Sequence, residues 1–139
     1  MKRIILVSLF LLIFSVLSMH AIVRTSGTCD EIAHHIPVGV LMLKAGDFKV
    51  DTSQPPLSRY VVALPIVLFL NPHLPPDRGA WRVEDRASFG RDFFFRYNHR
   101  SRAMLFLGRF PIMLIGLACG ILIVLWAHEL CGPKAAFLS

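Results

Sequence analysis

The chain has 139 residues, room for one domain at most. Hydrophobic residues make up 55% and charged residues 17%, below the roughly 25% of soluble domains, and mean hydropathy is +0.58, a balance that belongs to a membrane protein. Net charge is +6, yet the basic residues are spread from Arg78 to Arg109 among aromatic ones. That pattern fits anionic lipid headgroups better than nucleic acid.

Residues 4 to 23 carry no formally charged side chain. At about 1.5 Å per residue they span the ~30 Å hydrocarbon core. Lys2 and Arg3 precede them, so a cleaved leader has the same order of features. The apolar run is longer than the roughly 7–15 residues of a leader, which favours a retained helix. The basic start favours a cytoplasmic N-terminus in an inner or plasma membrane.

Residues 24 to 100 then form an external loop. Its ten Lys and Arg do not oppose export, because loops beyond ~60 residues translocate largely regardless of charge. Thr28 and Glu31 form a T-x-x-E capping box, so a helix begins near Cys29 with Asp30 and Glu31 in its first turn. The free N–H groups and the helix dipole there favour ionised carboxylates. Pro37 should kink this helix, and Gly46 is placed to cap it. Glu31-x-x-His34 has the i, i+3 spacing of helix-bundle metal sites, with His35 beside it. No second E-x-x-H accompanies it, so His34 and His35 read first as lining a wet interface with no cofactor expected, and a divalent metal held by His34 and His35 is the second reading.

Residues 57 to 70, "LSRYVVALPIVLFL", are apolar but too few to cross. They predict an interfacial or re-entrant helix, kinked at Pro65. Residues 71 to 79 are a Pro-rich connector. "VEDRASFGRDFFFRYNHR" predicts a helix at headgroup depth, with Trp81, Trp126 and Phe93, Phe94 and Phe95 as interface anchors.

The second span centres on residues 110 to 127, within a segment running from 101 to 130. Gly116 and Gly120 form a G-x-x-x-G pair that lets another helix approach closely. Gly132-Pro133 should end this helix. Residues 134 to 139 then begin a third, truncated one, and the chain reads as the front of a longer polytopic protein. Three cysteines without C-x-x-C spacing leave no full set of internal disulfides, and Cys119 and Cys131 read as packing residues.

The order of these motifs resembles the membrane glycosyltransferases of the GT-C class. The carrying features are an apolar first helix, Asp30-Glu31 opening a helix, "GDF", "PPL" followed by the Arg59-Tyr60 pair, "LGRFP" and "WAHELCGP". The pattern is similar to protein O-mannosyltransferases and to the lipid A aminoarabinose transferase. The resemblance implies an all-α fold, two membrane helices flanking a loop with juxtamembrane helices. It implies transfer of a sugar from a polyprenyl-phosphate donor to an acceptor at the outer face. Asp30 takes the place of the catalytic carboxylate and Glu31 that of the second acidic residue. Pro55, Pro56 and Leu57 match the turn near the donor phosphate, with Arg59 and Tyr60 just beyond it. The aminoarabinose branch has a phosphate-contacting lysine where this chain has Gln54, which leaves Arg59 or Lys49 to replace it. Arg109 reads as a residue snorkelling to headgroups or gripping the donor phosphate.

A sugar on polyprenyl phosphate already has a good leaving group, so one carboxylate suffices to orient the attacking hydroxyl and receive its proton. Positive charge must meet the departing phosphate. Direct attack inverts the anomeric centre. A reading from a different class is a small two-span scaffold or assembly subunit without catalysis. The expected partners are the lipid-linked donor, an outer acceptor and membrane lipids, with no nucleic acid.

Overall fold

The computed structural model describes residues 2–76 and 86–138. Trp81 and the stretch around it lie outside the described residues. The described residues are helical, without strands. In chain order the α-helices are α1 (Lys2–Arg24), α2 (Ile36–Ala45), α3 (Pro56–Leu70), α4 (Arg86–Arg91) and α5 (Ser101–Leu138). Two π-helical stretches, Glu31–His35 and Asp92–Tyr97, join α2 and follow α4. Among the described residues two segments, Ile5–Arg24 and Ser101–Leu130, are long and apolar enough to cross a membrane, each containing an 18-residue window of mean hydropathy 2.5.

The chain divides into two compact units. One holds residues 1–24 and 112–139. Here the G-x-x-x-G pair receives α1: a Cβ on Gly116 would lie 3.1 Å from the Phe14 ring, and one on Gly120 3.4 Å from Leu11. The absent side chains create the space that this helix contact occupies. α5 also differs from expectation at its far end, since it runs through Gly132-Pro133 to Leu138 instead of stopping there. Proline removes one backbone donor, a local loss that leaves the helical bonds on both sides intact. No separate third helix starts at 134.

The other unit comprises residues 25–111. At its centre is α2, in which Ile36 to Met42 are all buried. Pro37 acts one turn upstream of itself. Its ring disfavours a regular turn against the carbonyl of residue 33, and the chain widens there, with the Ile36 N–H donating to Glu31 O. Gly46 ends α2 with φ +65 and its N–H on Met42 O, as the sequence suggested. Lys44 then donates from Nζ to Asn71 Oδ1 (2.8 Å) and Pro72 O (2.7 Å), closing the C-terminus of α3.

α3 packs one face on α2 through Arg59, Ala63 and Ile66, spaced i, i+4, i+7. A Cβ on Gly39 would stand 2.5 Å from the Arg59 carbonyl oxygen, so α2 and α3 touch backbone to backbone. The outer face of α3 is equally apolar and is exposed: Leu57 71%, Leu68 68%, Phe69 75%. That two-sided pattern matches a helix between a protein core and an apolar surface. Pro65 lies inside α3, which continues past it.

The aromatic run corrects the reading of it as a row of interface anchors. Phe93 and Phe94 are fully buried, stacked edge to face at 5.5 Å, and join the core with Ile36, Val40, Ile66 and Met104. Phe95 alone of the three is exposed. Full burial of a large apolar side chain is worth roughly 1.5–3 kcal/mol, which the core position supplies.

Candidate functional site

The T-x-x-E box forms as the sequence predicts. Thr28 Oγ1 accepts from the Glu31 N–H at 3.3 Å, and Glu31 Oε2 accepts from the Thr28 N–H at 2.8 Å. The Ile32 N–H donates to Thr28 O at 3.1 Å, and the chain is helical from Cys29. Arg109 then clamps the box. Its Nε donates to Glu31 Oε1 (2.6 Å) and its Nη2 to Oε2 (2.7 Å), a two-pronged pair. Nη1 donates to Thr25 O and Oγ1, and Nη2 also to Ser26 O. Arg109 is thus spent on the helix start. Burial pushes the Glu31 carboxyl up, but the hydrogen bonds from Arg109 and Thr28 outweigh it and hold its pKa below the ordinary value.

Asp30, next in the chain, is exposed and has no hydrogen-bond or ion-pair partner among the described residues. The two acidic residues therefore differ in kind. Glu31 is a fixed strut, and Asp30 is an open carboxylate standing on the backbone that the strut holds.

The structure adds a charge cluster that the sequence did not reveal. Asp51 is 1% exposed and Arg59 0%. Arg59 Nη2 donates to Asp51 Oδ2 (2.6 Å) and Nη1 to the Asp51 carbonyl (2.6 Å). Ser53 donates to Oδ1 from its N–H (3.0 Å) and its hydroxyl (2.5 Å). Arg86 Nη1 reaches Oδ1 at 3.1 Å, and His34 Nδ1 lies 2.9 Å from Oδ2. Burial pushes the Asp51 carboxyl up. The bonds from Ser53 and His34 and the Arg59 charge overcome this and hold it well below the usual carboxylate range. Arg59 Nε is buried without a hydrogen-bond partner among the described residues.

The expected donor-binding residues therefore sit in two environments. Pro55, Pro56 and Leu57 are exposed at the start of α3, where Pro56 takes the first helical position. Gln54 and Lys49 are exposed too, and Tyr60 is half-buried. Arg59 instead points inward with its two terminal nitrogens on Asp51. His35 is half-buried. No group of three or more His, Cys, Asp or Glu that could hold a metal occurs among the described residues. Asp51 itself was missed because an acidic residue in a polar loop has no periodic signal. Its only hint was proximity to the Arg59 that α3 turns inward. Comparisons with known protein families, with characterised proteins and with solved structures give no match.

Proposed function

We propose that this chain is part of an inverting membrane glycosyltransferase that takes a sugar from a polyprenyl phosphate. The observation that carries the reading is the contrast between Asp30 and Glu31. A transferase with a good leaving group needs one free carboxylate in a fixed place, and Asp30 fits that need. It orients an acceptor hydroxyl and receives its proton. Glu31, locked to Arg109 and Thr28, keeps the helix start from moving.

In this reading both apolar helices cross the membrane, residues 24–100 lie on the outer side, and the exposed outer face of α3 rests in the lipid surface. The turn of Pro55, Pro56 and Leu57 lies beside the donor. The test is transfer from a polyprenyl-phosphate sugar by purified protein. Asp30→Asn should lower turnover at least ~100-fold, the low end of general-base contributions, with expression unchanged. A wild-type rate in that variant leaves Asp30 a helix-start residue without a catalytic part, and no transfer by the wild-type protein favours the non-catalytic scaffold.

A further inference from the structure

His34 has no part in the transfer as described above, yet its ring is held more tightly than an interface residue requires. Nδ1 lies 2.9 Å from Asp51 Oδ2, on a carboxylate with 0% side-chain exposure. That carboxylate already takes bonds from Arg59, Arg86 and Ser53, which suit only its ionised form. An ionised carboxylate accepts and cannot donate, so Nδ1 carries the proton and, in a neutral ring, Nε2 carries the lone pair. The His34 side chain is 19% exposed, and Nε2 has no partner among the described residues. His34 follows Asp30 by four residues on one helical stretch, a spacing that puts two side chains on one face. The charged groups facing the ring are Asp51, Arg59 through the shared oxygen, and Arg86 from α4. On its own stretch they are Asp30, Glu31 and His35.

We propose that Asp51 and His34 form a proton relay behind Asp30, a reading that rests on the transferase function above. The acceptor oxygen bonds to the anomeric carbon as the bond from that carbon to the phosphate oxygen breaks. The electron pair of the broken bond leaves on the polyprenyl phosphate. The hydroxyl proton passes to the Asp30 carboxylate, then through a bridging water to His34 Nε2 on the same helix face, and from there to bulk water, which restores both groups. A neutral imidazole with its lone pair on Nε2 can take up and release a proton, as histidine does in general acid–base catalysis. Asp51 fixes the tautomer and balances the imidazolium while it lasts, as an orienting carboxylate does for a histidine base.

The test uses the whole protein in lipid nanodiscs. Nitrogen NMR of labelled histidine reports the His34 tautomer without any substrate, the signal being assigned by its loss in His34→Asn. The expected form of the neutral ring is Nδ1–H, and an Nε2–H ring overturns the relay. His34→Asn keeps an N–H near the Nδ1 position for Asp51 but has no Nε2. It should melt as wild type does, transfer sugar about tenfold more slowly, equal to ~1.4 kcal/mol, and recover with added imidazole. Wild-type transfer by His34→Asn, with Asp30→Asn still inactive, sinks the relay and spares the transferase. Wild-type transfer by Asp30→Asn removes Asp30 as the base and sinks the relay, whereas no transfer by the wild-type protein sinks the transferase reading and the relay with it.

Discussion

Arg109 grips Glu31 with two parallel hydrogen bonds of 2.6 and 2.7 Å across 78 residues of chain. Neither side chain is more than 21% exposed, so the pair is partly shielded from water. Removing one partner leaves the other's charge partly desolvated and without its counter-charge, with the bonds from Thr28 to Glu31 or from Arg109 to Thr25 and Ser26 remaining. Arg109→Ala should cost roughly 2–3 kcal/mol in denaturant unfolding. Arg109→Lys should recover only part of that, because an ammonium cannot form the two-pronged contact. Equal stability of the lysine variant and wild type would show that charge alone matters.

The same geometry separates the two acidic neighbours. Glu31→Gln should lower stability by about 2 kcal/mol, since it weakens the bonds to Arg109. Asp30→Asn should leave the melting temperature nearly unchanged. Thermal melts of both variants followed by circular dichroism check this, and a reversed order would mean that Asp30 is the strut.

Acid should loosen the unit of residues 25–111 through Asp51. Its folded pKa lies below the unfolded value, so the ionised form stabilises the fold at neutral pH. That contribution is complete above about pH 5 and fades as pH falls below the ordinary carboxylate value of about 3.9. Glu31 acts with the same sign. Unfolding free energy measured from pH 6 down to pH 3 should drop, and Asp51→Asn should show a shallower drop from a lower start. An equal slope in that variant would assign the effect to other carboxylates.

Close packing predicts a third class of effect. A Cβ on Gly39 meets the Arg59 carbonyl at 2.5 Å and the Ala63 Cβ at 2.8 Å, and one on Gly90 collides with the Ile32 carbonyl oxygen. These neighbours are backbone or rigid, so they cannot swing aside. Gly39→Ala and Gly90→Ala should each cost about 1–3 kcal/mol or more. Among the described residues Gly46→Ala meets no atom within 4 Å, and the strain there comes from its φ of +65, so it should cost less, about 1 kcal/mol. Unfolding curves of the three variants test that order.

The sidedness proposed above is open to chemical labelling. Gln54 is exposed beside the Pro55-Pro56 turn. In a background without native cysteines, Gln54→Cys should react with an impermeant thiol reagent added to intact cells. Reaction only after the membrane is opened would place residues 24–100 inside, and the proposed donor site with them.

Local chemistry was legible in the sequence. The Thr28–Glu31 box, the Gly46 cap, the disturbance caused by Pro37 and the two long apolar helices each depend on residues close in the chain, and each appears in the structure. Pro133 is the local rule that failed, because one lost hydrogen bond does not end a long helix. The tertiary structure alone decided which charges meet. Asp51 joins Arg59, His34 and Arg86 over separations of 8, 17 and 35 residues. Glu31 meets Arg109 only because residues 105–109 of α5 pack against residues 27–36, with Leu105 at Gly27 and Ile36 at Gly108. A single charged residue carries no period, so its partner is set by how helices pack. The run of Phe93, Phe94 and Phe95 is equally silent about which rings face inward. Only the π-helical turn from Asp92 to Tyr97 turns two of them to the core and leaves the third outside.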